Sequence, residues 1–99
     1  MFGMLREDAA GVRVTVLLDE HDVLGYALYT SSELSDIYVL PEHRGNNHGD
    51  DLLDAVKWWY GGKEIVDVNI TVHGTEQARR FWHDRAIFGG FGECKLRLD

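Results

Sequence analysis

Pro41, the only proline of the chain, constrains the fold most, because it separates a strand-like apolar run from a polar loop that contains glycines. Residues 34–40 predict a strand, which must end at Pro41 because proline has no backbone N–H for a central ladder. From Asp50 to Gly61 and Gly62, apolar residues recur at helical spacing, which predicts a helix of about three turns. These apolar residues are Leu52, Leu53, Ala55, Val56, Trp59 and Tyr60.

Further elements are predicted on both sides of this segment. Residues 12–18 and 23–29 are strand-like and are separated by the polar cluster 19–22, which predicts an antiparallel hairpin. Gly25 marks a bulge or a close backbone approach within it. Residues 65–72 predict a strand whose apolar face consists of Val66, Val68, Ile70 and Val72. A helix over 75–82 and a closing strand over 91–98 follow it. Residues 2–6 are a candidate first strand.

The order of these elements is a β-meander followed by β-α-β-α-β, which predicts a mixed α/β fold. With 99 residues, of which 44% are hydrophobic, the chain can bury one core but not two. We therefore expect a single domain over residues 1–99.

The charge of the chain limits its ligands. A net charge of −7 disfavours a nucleic-acid ligand, because phosphate contacts depend on clustered Lys and Arg. A cationic acceptor such as an amine fits better. Cys94 is the only cysteine, so no intrachain disulfide can form. With no signal-type N-terminus and no apolar run near the roughly 20 residues of a membrane span, we expect a cytoplasmic protein without membrane contact.

The loop between strand and helix is suited to an anion, because the first amides of a helix have no intrahelical acceptor. Gly45 and Gly49 allow the backbone to approach a bulky diphosphate, and Arg44 can add a charge-assisted contact. The Gly-Lys-Ser/Thr ending of a Walker loop and the third glycine of a dinucleotide fingerprint are both absent. The residues therefore predict a diphosphate loop of another kind.

The same segment resembles one family specifically. Residues 37–49, Ile-Tyr-Val-Leu-Pro-Glu-His-Arg-Gly-Asn-Asn-His-Gly, are similar to the strand, Pro-Glu turn and Arg/Gln-x-x-Gly-x-Gly loop of the GCN5-related N-acetyltransferases (GNAT superfamily). Residues 75–82, Thr-Glu-Gln-Ala-Arg-Arg-Phe-Trp, are similar to the later family motif Asn-x-x-Ala-x-x-Phe-Tyr. The resemblance extends from about Val12 to the C-terminus. It implies the GNAT-like acyl-CoA N-acyltransferase fold.

The resemblance also implies acetyl-CoA as the cofactor of an N-acetyltransferase. In the family, the pantetheine arm lies along the strand before the loop, and the diphosphate lies on the loop amides. The implied cofactor-binding residues are Ile37, Tyr38, Val39, Arg44, Gly45, Asn46, Asn47, His48, Gly49, Thr75 and Trp82.

The family normally carries two helices between its first two strands, but too few residues precede Val12 for them. The acceptor side should therefore be open, or completed by another subunit, as in a homodimer, or by the acceptor itself. An open site favours a large acceptor, such as a protein lysine or N-terminus, over a small molecule that needs enclosure.

Asp36 and Tyr38 are the candidate catalytic residues, because they share the face of the strand that leads to the loop. Asp36 could take the amine proton or be a solvated carboxylate, and Tyr38 could donate a proton, bind the acceptor or only pack. Glu42, His43 and His73 could also reach the cleft or lie on the surface. No spacing of histidines and carboxylates matches a metal motif, so no metal site is predicted.

Two other functions remain open. The family often has a tyrosine that protonates the leaving thiolate where this chain has Trp82, whose indole N–H is too weak an acid. Asn47 replaces a glycine. Asp50 and Asp51 in the first helical turn stabilise the helix dipole but would repel a diphosphate. These departures also suit a non-catalytic GNAT-fold module for binding or dimerisation. The acidic composition would alternatively suit a small protein that mimics nucleic acid.

Overall fold

The computed structural model describes residues 3–9, 11–20, 22–72, 74–89 and 94–98. The strands are β1 (Gly3–Ala9), β2 (Val12–Leu18), β3 (Val23–Tyr29), β4 (Glu33–Val39), β5 (Asn69–Ile70), β6 (Ala86–Phe88) and β7 (Cys94–Leu96). The helices are α1 (His48–Gly62) and α2 (Glu76–His83), and Pro41–His43 form a short 3-10 turn. Over the described residues the seven strands form one sheet of order β1-β2-β3-β4-β5-β7-β6, in which only β4 and β5 are parallel neighbours. The predicted mixed α/β fold is confirmed.

The first four strands form an antiparallel meander. Only residues 10 and 11 separate β1 from β2, so the two helices of the family are absent from this connection, as the sequence predicts. The candidate first strand is present and longer than predicted, since Gly3 to Ala9 all pair with β2. Phe2, which the prediction included, lies outside the described residues.

Gly25 marks a close approach between β3 and β4, one of the two roles predicted for it. It pairs with Val39, and a Cβ atom built on Gly25 would lie 2.3 Å from the carbonyl oxygen of Tyr38. It would also lie 3.2 Å from Cδ1 of Leu52 in α1. Only glycine fits here, and its small size allows α1 to pack directly on the strands.

Helix α1 supplies much of the core on one face of the meander. Its fully buried side chains are Leu52, Val56 and Tyr60. The buried phenol of Tyr60 keeps a hydrogen-bond partner, because its hydroxyl donates to the carbonyl of Thr30 at 2.8 Å. The ring of Trp59 completes an aromatic cluster, with its centroid 5.5 Å from that of Tyr29.

The strand predicted over 65–72 is shorter in the structure, where only Asn69–Ile70 are paired. Val68 is buried, but Val66 is 85% exposed, so the predicted apolar face is wrong at Val66. Residues 65–68 lie outside the strand, so no ladder pairing fixes which of their side chains face the core.

The last elements also differ in their bounds. The closing strand predicted over 91–98 is observed as β7, and residues 91–93 lie outside the described residues. No sequence pattern predicts β6, because three residues are too few for a periodicity. Helix α2 starts one residue after the predicted position because Thr75 is its N-cap, with Oγ1 accepting a hydrogen bond from the amide of Ala78 at 3.1 Å.

Candidate functional site

The parallel pair in the sheet separates soon after it begins. Residues 33–34 of β4 pair with residues 69–70 of β5, and the amide of Thr71 donates to the carbonyl of Leu34 at 3.1 Å. Beyond Leu34, and within the described residues, β4 continues to Val39 with a strand neighbour on one side only. A strand paired on one side directs the N–H and C=O groups of alternate residues away from its partner. Those groups of β4 therefore face the gap.

The gap forms a groove of about 550 Å³. Asp36 and Tyr38 on one face of β4 line it, and so do Ile37 and Val39 on the other face. The groove therefore follows the open edge of β4 through the sheet. Its full lining is Leu34, Asp36, Ile37, Tyr38, Val39, Arg44, Gly45, Asn47, His48, Gly49, Asp50, Thr71, Thr75, Gln77, Ala78, Phe81, Trp82 and Arg85.

The loop after β4 enters α1 through left-handed backbone conformations. Gly45 has a φ of 88° and Asn47 a φ of 63°, which asparagine tolerates better than most residues. Asn47 is the N-cap of α1, but its side chain makes no capping hydrogen bond. The amide of Asp51 bonds back to the carbonyl of Asn47 at 3.1 Å, so the earlier helical amides have no intrahelical acceptor. They lie at the positive end of the helix dipole, a geometry that fits an anion.

Arg44 connects the two walls of the groove. Its Nε donates to the carbonyl of Val39 at 2.9 Å, and its Nη1 donates to Oε1 of Gln77 in α2 at 3.0 Å. The guanidinium carbon lies 5.3 Å from the centre of the Tyr38 ring, within the range of a cation–π contact. Arg44 is thus held between the end of β4 and the start of α2, where it adds positive charge to the groove.

A second connection joins the start of α1 to the end of α2. Nε of Arg85 donates to Oδ1 of Asp50 at 2.6 Å, and Nη2 donates to Oδ2 at 2.9 Å. Nη1 of Arg85 donates to the carbonyl of Phe81 at 2.7 Å. The Phe81 ring covers Gly49, where a built Cβ atom would come within 2.8 Å of a ring carbon. Sequence reasoning misses Arg85, because no local pattern links residues 35 positions apart.

The Asp50–Arg85 ion pair should make the stability of the fold depend on pH in the acid range. The hydrogen bond from Arg85 lowers the pKa of the Asp50 carboxyl below its ordinary value of 3.8. Because the pKa of Asp50 is lower in the folded state than in the unfolded state, the ion pair stabilises the fold. This stabilisation is fully present above about pH 4 and is lost as the pH falls through the lowered pKa. The side chains are 30% and 39% exposed, so the contribution should be below about 1 kcal/mol. In urea unfolding at a series of acid pH values, we expect Asp50→Asn to lose less stability than the wild type, and parallel losses would contradict this.

Asp36 and Tyr38 lie beside Tyr26, a residue that the sequence does not single out. Tyr26 is directly opposite Tyr38 in the ladder, and their ring centroids are 5.7 Å apart. The hydroxyl of Tyr26 donates to Oδ2 of Asp36 at 2.8 Å, and this hydrogen bond raises the pKa of Tyr26. The three side chains form a polar cluster on the sheet face opposite α1, because Ala27 and Ile37, their neighbours in sequence, face the core.

The groove brings together the predicted site residues with one exception. Asn46 is exposed and does not line it. Thr75 lines the groove, but its hydroxyl caps α2. Trp82 is only 3% exposed and packs in the core, with part of its surface in the groove. The predicted residues are therefore close together in space, and their binding and catalytic roles stay predictions.

The remaining sequence candidates are Glu42, His43 and His73. Glu42 and His43 lie in the 3-10 turn and do not line the groove, and His73 lies outside the described residues. In the described part of the chain, no three His, Cys, Asp or Glu side chains are arranged to hold a metal ion. None of the helices found there has the length and apolar character needed to cross a membrane.

Known proteins share this architecture. Residues 4–91 match the family described as acetyltransferase (GNAT) domain. One similar structure is PaiA N-acetyltransferase from Thermoplasma acidophilum, solved with coenzyme A, which is 13% identical in sequence and has a TM-score of 0.70. The match covers 87% of this chain and 59% of the PaiA chain. A Bacillus anthracis protein provisionally assigned as a streptothricin acetyltransferase, solved with acetyl coenzyme A, is 16% identical with a TM-score of 0.74 over 90% of this chain and 61% of its own. A GCN5-related N-acetyltransferase from Rhodopseudomonas palustris is 16% identical with a TM-score of 0.68 over 88% of this chain and 59% of its own.

The present chain thus spans about three fifths of the length of these structures. Their low sequence identity limits the likeness to the fold. A comparison with curated proteins gives no match. Because the family match extends over residues 4–91, the chain belongs to the GNAT acetyltransferase family.

Proposed function

We propose that this chain binds acetyl-CoA in the groove and transfers the acetyl group to an amine. The observation that carries the proposal is that the open edge of β4 leads directly to the uncapped start of α1. A strand edge offers donors and acceptors to an amide-containing arm, and a helix start offers N–H groups to phosphates. Two similar structures hold coenzyme A or acetyl coenzyme A, which supports the proposal.

In this proposal each part of the groove has a separate role in binding. Residues 37–39 lie along the pantetheine arm, and the loop amides from Gly45 to Gly49 bind the diphosphate. Arg44 adds a positive charge that both walls hold in place. Thr75 and Trp82 form part of the wall opposite β4.

When bound, acetyl-CoA supplies a thioester whose carbonyl carbon an amine can attack. The carboxylate of Asp36 attracts the acceptor ammonium, which first gives one proton to water and so becomes a nucleophilic amine. Asp36 then takes the second proton, which the nitrogen loses as the C–N bond forms. Tyr26 orients that carboxylate through its 2.8 Å hydrogen bond. Tyr38 can donate its phenolic proton to the sulfur as the C–S bond breaks. Trp82 cannot do so, because its indole N–H is not acidic enough.

The proposed acceptor is an amine on a large molecule such as a protein. On the sheet face opposite α1, the side chains of Val14, Val16 and Leu28 are only partly buried, and Tyr38 is 37% exposed. Such an open face does not enclose a small molecule, but a polypeptide can lie across it. The net charge of −7 favours an acceptor with positive charge.

Calorimetric titration with acetyl-CoA tests the cofactor part of this proposal. We expect saturable binding by the wild type and at least about tenfold weaker binding by Arg44→Ala, which removes a charge-assisted contact. Gly49→Val should weaken binding similarly, since its side chain would displace Phe81 and crowd the helix start. Gly61→Val is the matched control, because Gly61 has no neighbour within 4 Å of a built Cβ atom.

Circular dichroism of each variant will establish that it is folded. A wild type that does not bind millimolar acetyl-CoA would contradict the proposal and favour the non-catalytic module. Binding without acetyl transfer to any lysine peptide or amine would also favour that module. Trp82, which stands where the family often has a tyrosine, is the observation behind this second candidate.

A further inference from the structure

A carboxylate lies at the helix start that the proposed function assigns to a diphosphate. Asp50 is in the first turn of α1 and lines the groove, whereas its neighbour Asp51 does not. Like charges in a partly buried groove repel each other more strongly than in water, because the effective dielectric constant is lower. Asp50 alone would therefore oppose the anion that the helix amides attract.

Arg85 is placed to cancel this repulsion. It lies just after α2, and its guanidinium contacts both carboxylate oxygens of Asp50 at 2.6 Å and 2.9 Å. Its third nitrogen donates to the carbonyl of Phe81, and the guanidinium carbon lies 4.3 Å from the centre of the Phe81 ring. All three nitrogens are thus engaged within the protein, which orients the charge of Arg85 toward Asp50.

We infer that Arg85 is a positioning residue for the cofactor. Arg85 neutralises Asp50, so that the start of α1 can hold the diphosphate of CoA. The inference rests on the proposed function. In this role Arg85 affects the binding of the diphosphate but not the binding of the uncharged pantetheine arm. The same ion pair also joins α2 to α1, so the experiment must separate an electrostatic role from a structural one.

Arg85→Met keeps an apolar chain against Phe81 and removes the charge. For CoA at low salt, we expect a Kd about tenfold higher than that of the wild type, because Asp50 is left uncompensated. At about 0.5 M salt the difference should shrink, since salt screens the repulsion. Adding Asp50→Asn removes the repelling charge, so the double variant should bind CoA nearly as tightly as the wild type.

Pantetheine, which has no phosphate, provides the second readout. In NMR titrations it should bind the wild type, Arg85→Met and the double variant with the same affinity. Arg80→Met is the matched control, because Arg80 is an exposed arginine of α2 that pairs with Glu76 at 2.6 Å. It should leave the Kd for CoA unchanged.

The possible outcomes are distinct. Equal losses of CoA and pantetheine binding in Arg85→Met, without recovery in the double variant, would overturn the inference and make Arg85 a structural residue. Unchanged CoA binding in Arg85→Met would also overturn it. If the wild type itself does not bind CoA, the proposed function fails and the inference fails with it.

Discussion

Gly25→Ala is expected to lower the free energy of unfolding by about 3 kcal/mol or more, because it forces a backbone clash in the sheet. The new Cβ atom would lie 2.3 Å from the carbonyl oxygen of Tyr38 and 3.1 Å from Cα of Val39. These backbone atoms cannot move unless β3 and β4 separate. Urea unfolding followed by tryptophan fluorescence measures the loss. Since β4 forms one wall of the groove, acetyl-CoA binding should weaken in parallel.

The control for this variant is Gly61→Ala. Gly61 lies near the end of α1, and nothing is within 4 Å of a Cβ atom built there. Alanine favours a helix over glycine, so Gly61→Ala should leave stability unchanged or raise it by up to about 1 kcal/mol. A Gly25→Ala protein as stable as the wild type would mean that the pairing of Gly25 with Val39 is wrong.

Asp36→Asn is expected to lower kcat about 100-fold or more, as loss of a general base does. The amide nearly matches the carboxylate in shape and can still accept the hydrogen bond from Tyr26. It has neither the charge that attracts an ammonium nor the basicity that takes its proton. The Kd for acetyl-CoA should change by less than about twofold, because the effect lies in the chemical step. Single-turnover acetylation of a lysine-rich peptide measures the rate.

Glu42→Gln removes the same kind of charge from the 3-10 turn, where Glu42 is exposed and does not line the groove. It should keep the wild-type rate. If Asp36→Asn acetylates the peptide as fast as Glu42→Gln, another group takes the amine proton. The role proposed for Asp36 would then have to be abandoned.

The parts of the fold that the sequence predicts are those with local causes. Pro41 ends β4, Gly45 permits the turn of the loop, and the apolar spacing after Asp50 sets the buried face of α1. Gly25 is identifiable for the same reason, because a glycine inside a strand pattern indicates a bulge or a close contact. Each of these signals depends only on a residue and its neighbours in sequence.

Contacts between residues that are distant in sequence could not be predicted from local sequence patterns. Nothing local indicates that Arg85 meets Asp50, or that Tyr26 pairs with Tyr38, because both depend on how α2 and the hairpin are placed in the fold. The extent of β5 is another case. Val66 and Val68 continue one alternating pattern, yet β5 pairs only over residues 69–70, because β4 begins at Glu33, opposite Asn69, and gives residues 65–68 no strand to pair with. Propensity cannot predict where a partner strand begins.

The groove also divides the chain into two halves in sequence. Residues 3–62 contain the meander and α1, and their strand pairs are all between neighbours in sequence, which favours rapid folding. The later segment is attached by a short β4–β5 pairing, by Val68, Trp82 and other buried side chains of the shared core, and by the bridges of Arg44 and Arg85. A ligand that fills the groove would touch both halves and fasten them together. Because a ligand that binds only the folded state stabilises it, cofactor binding would then oppose local opening between residues 3–62 and the later segment.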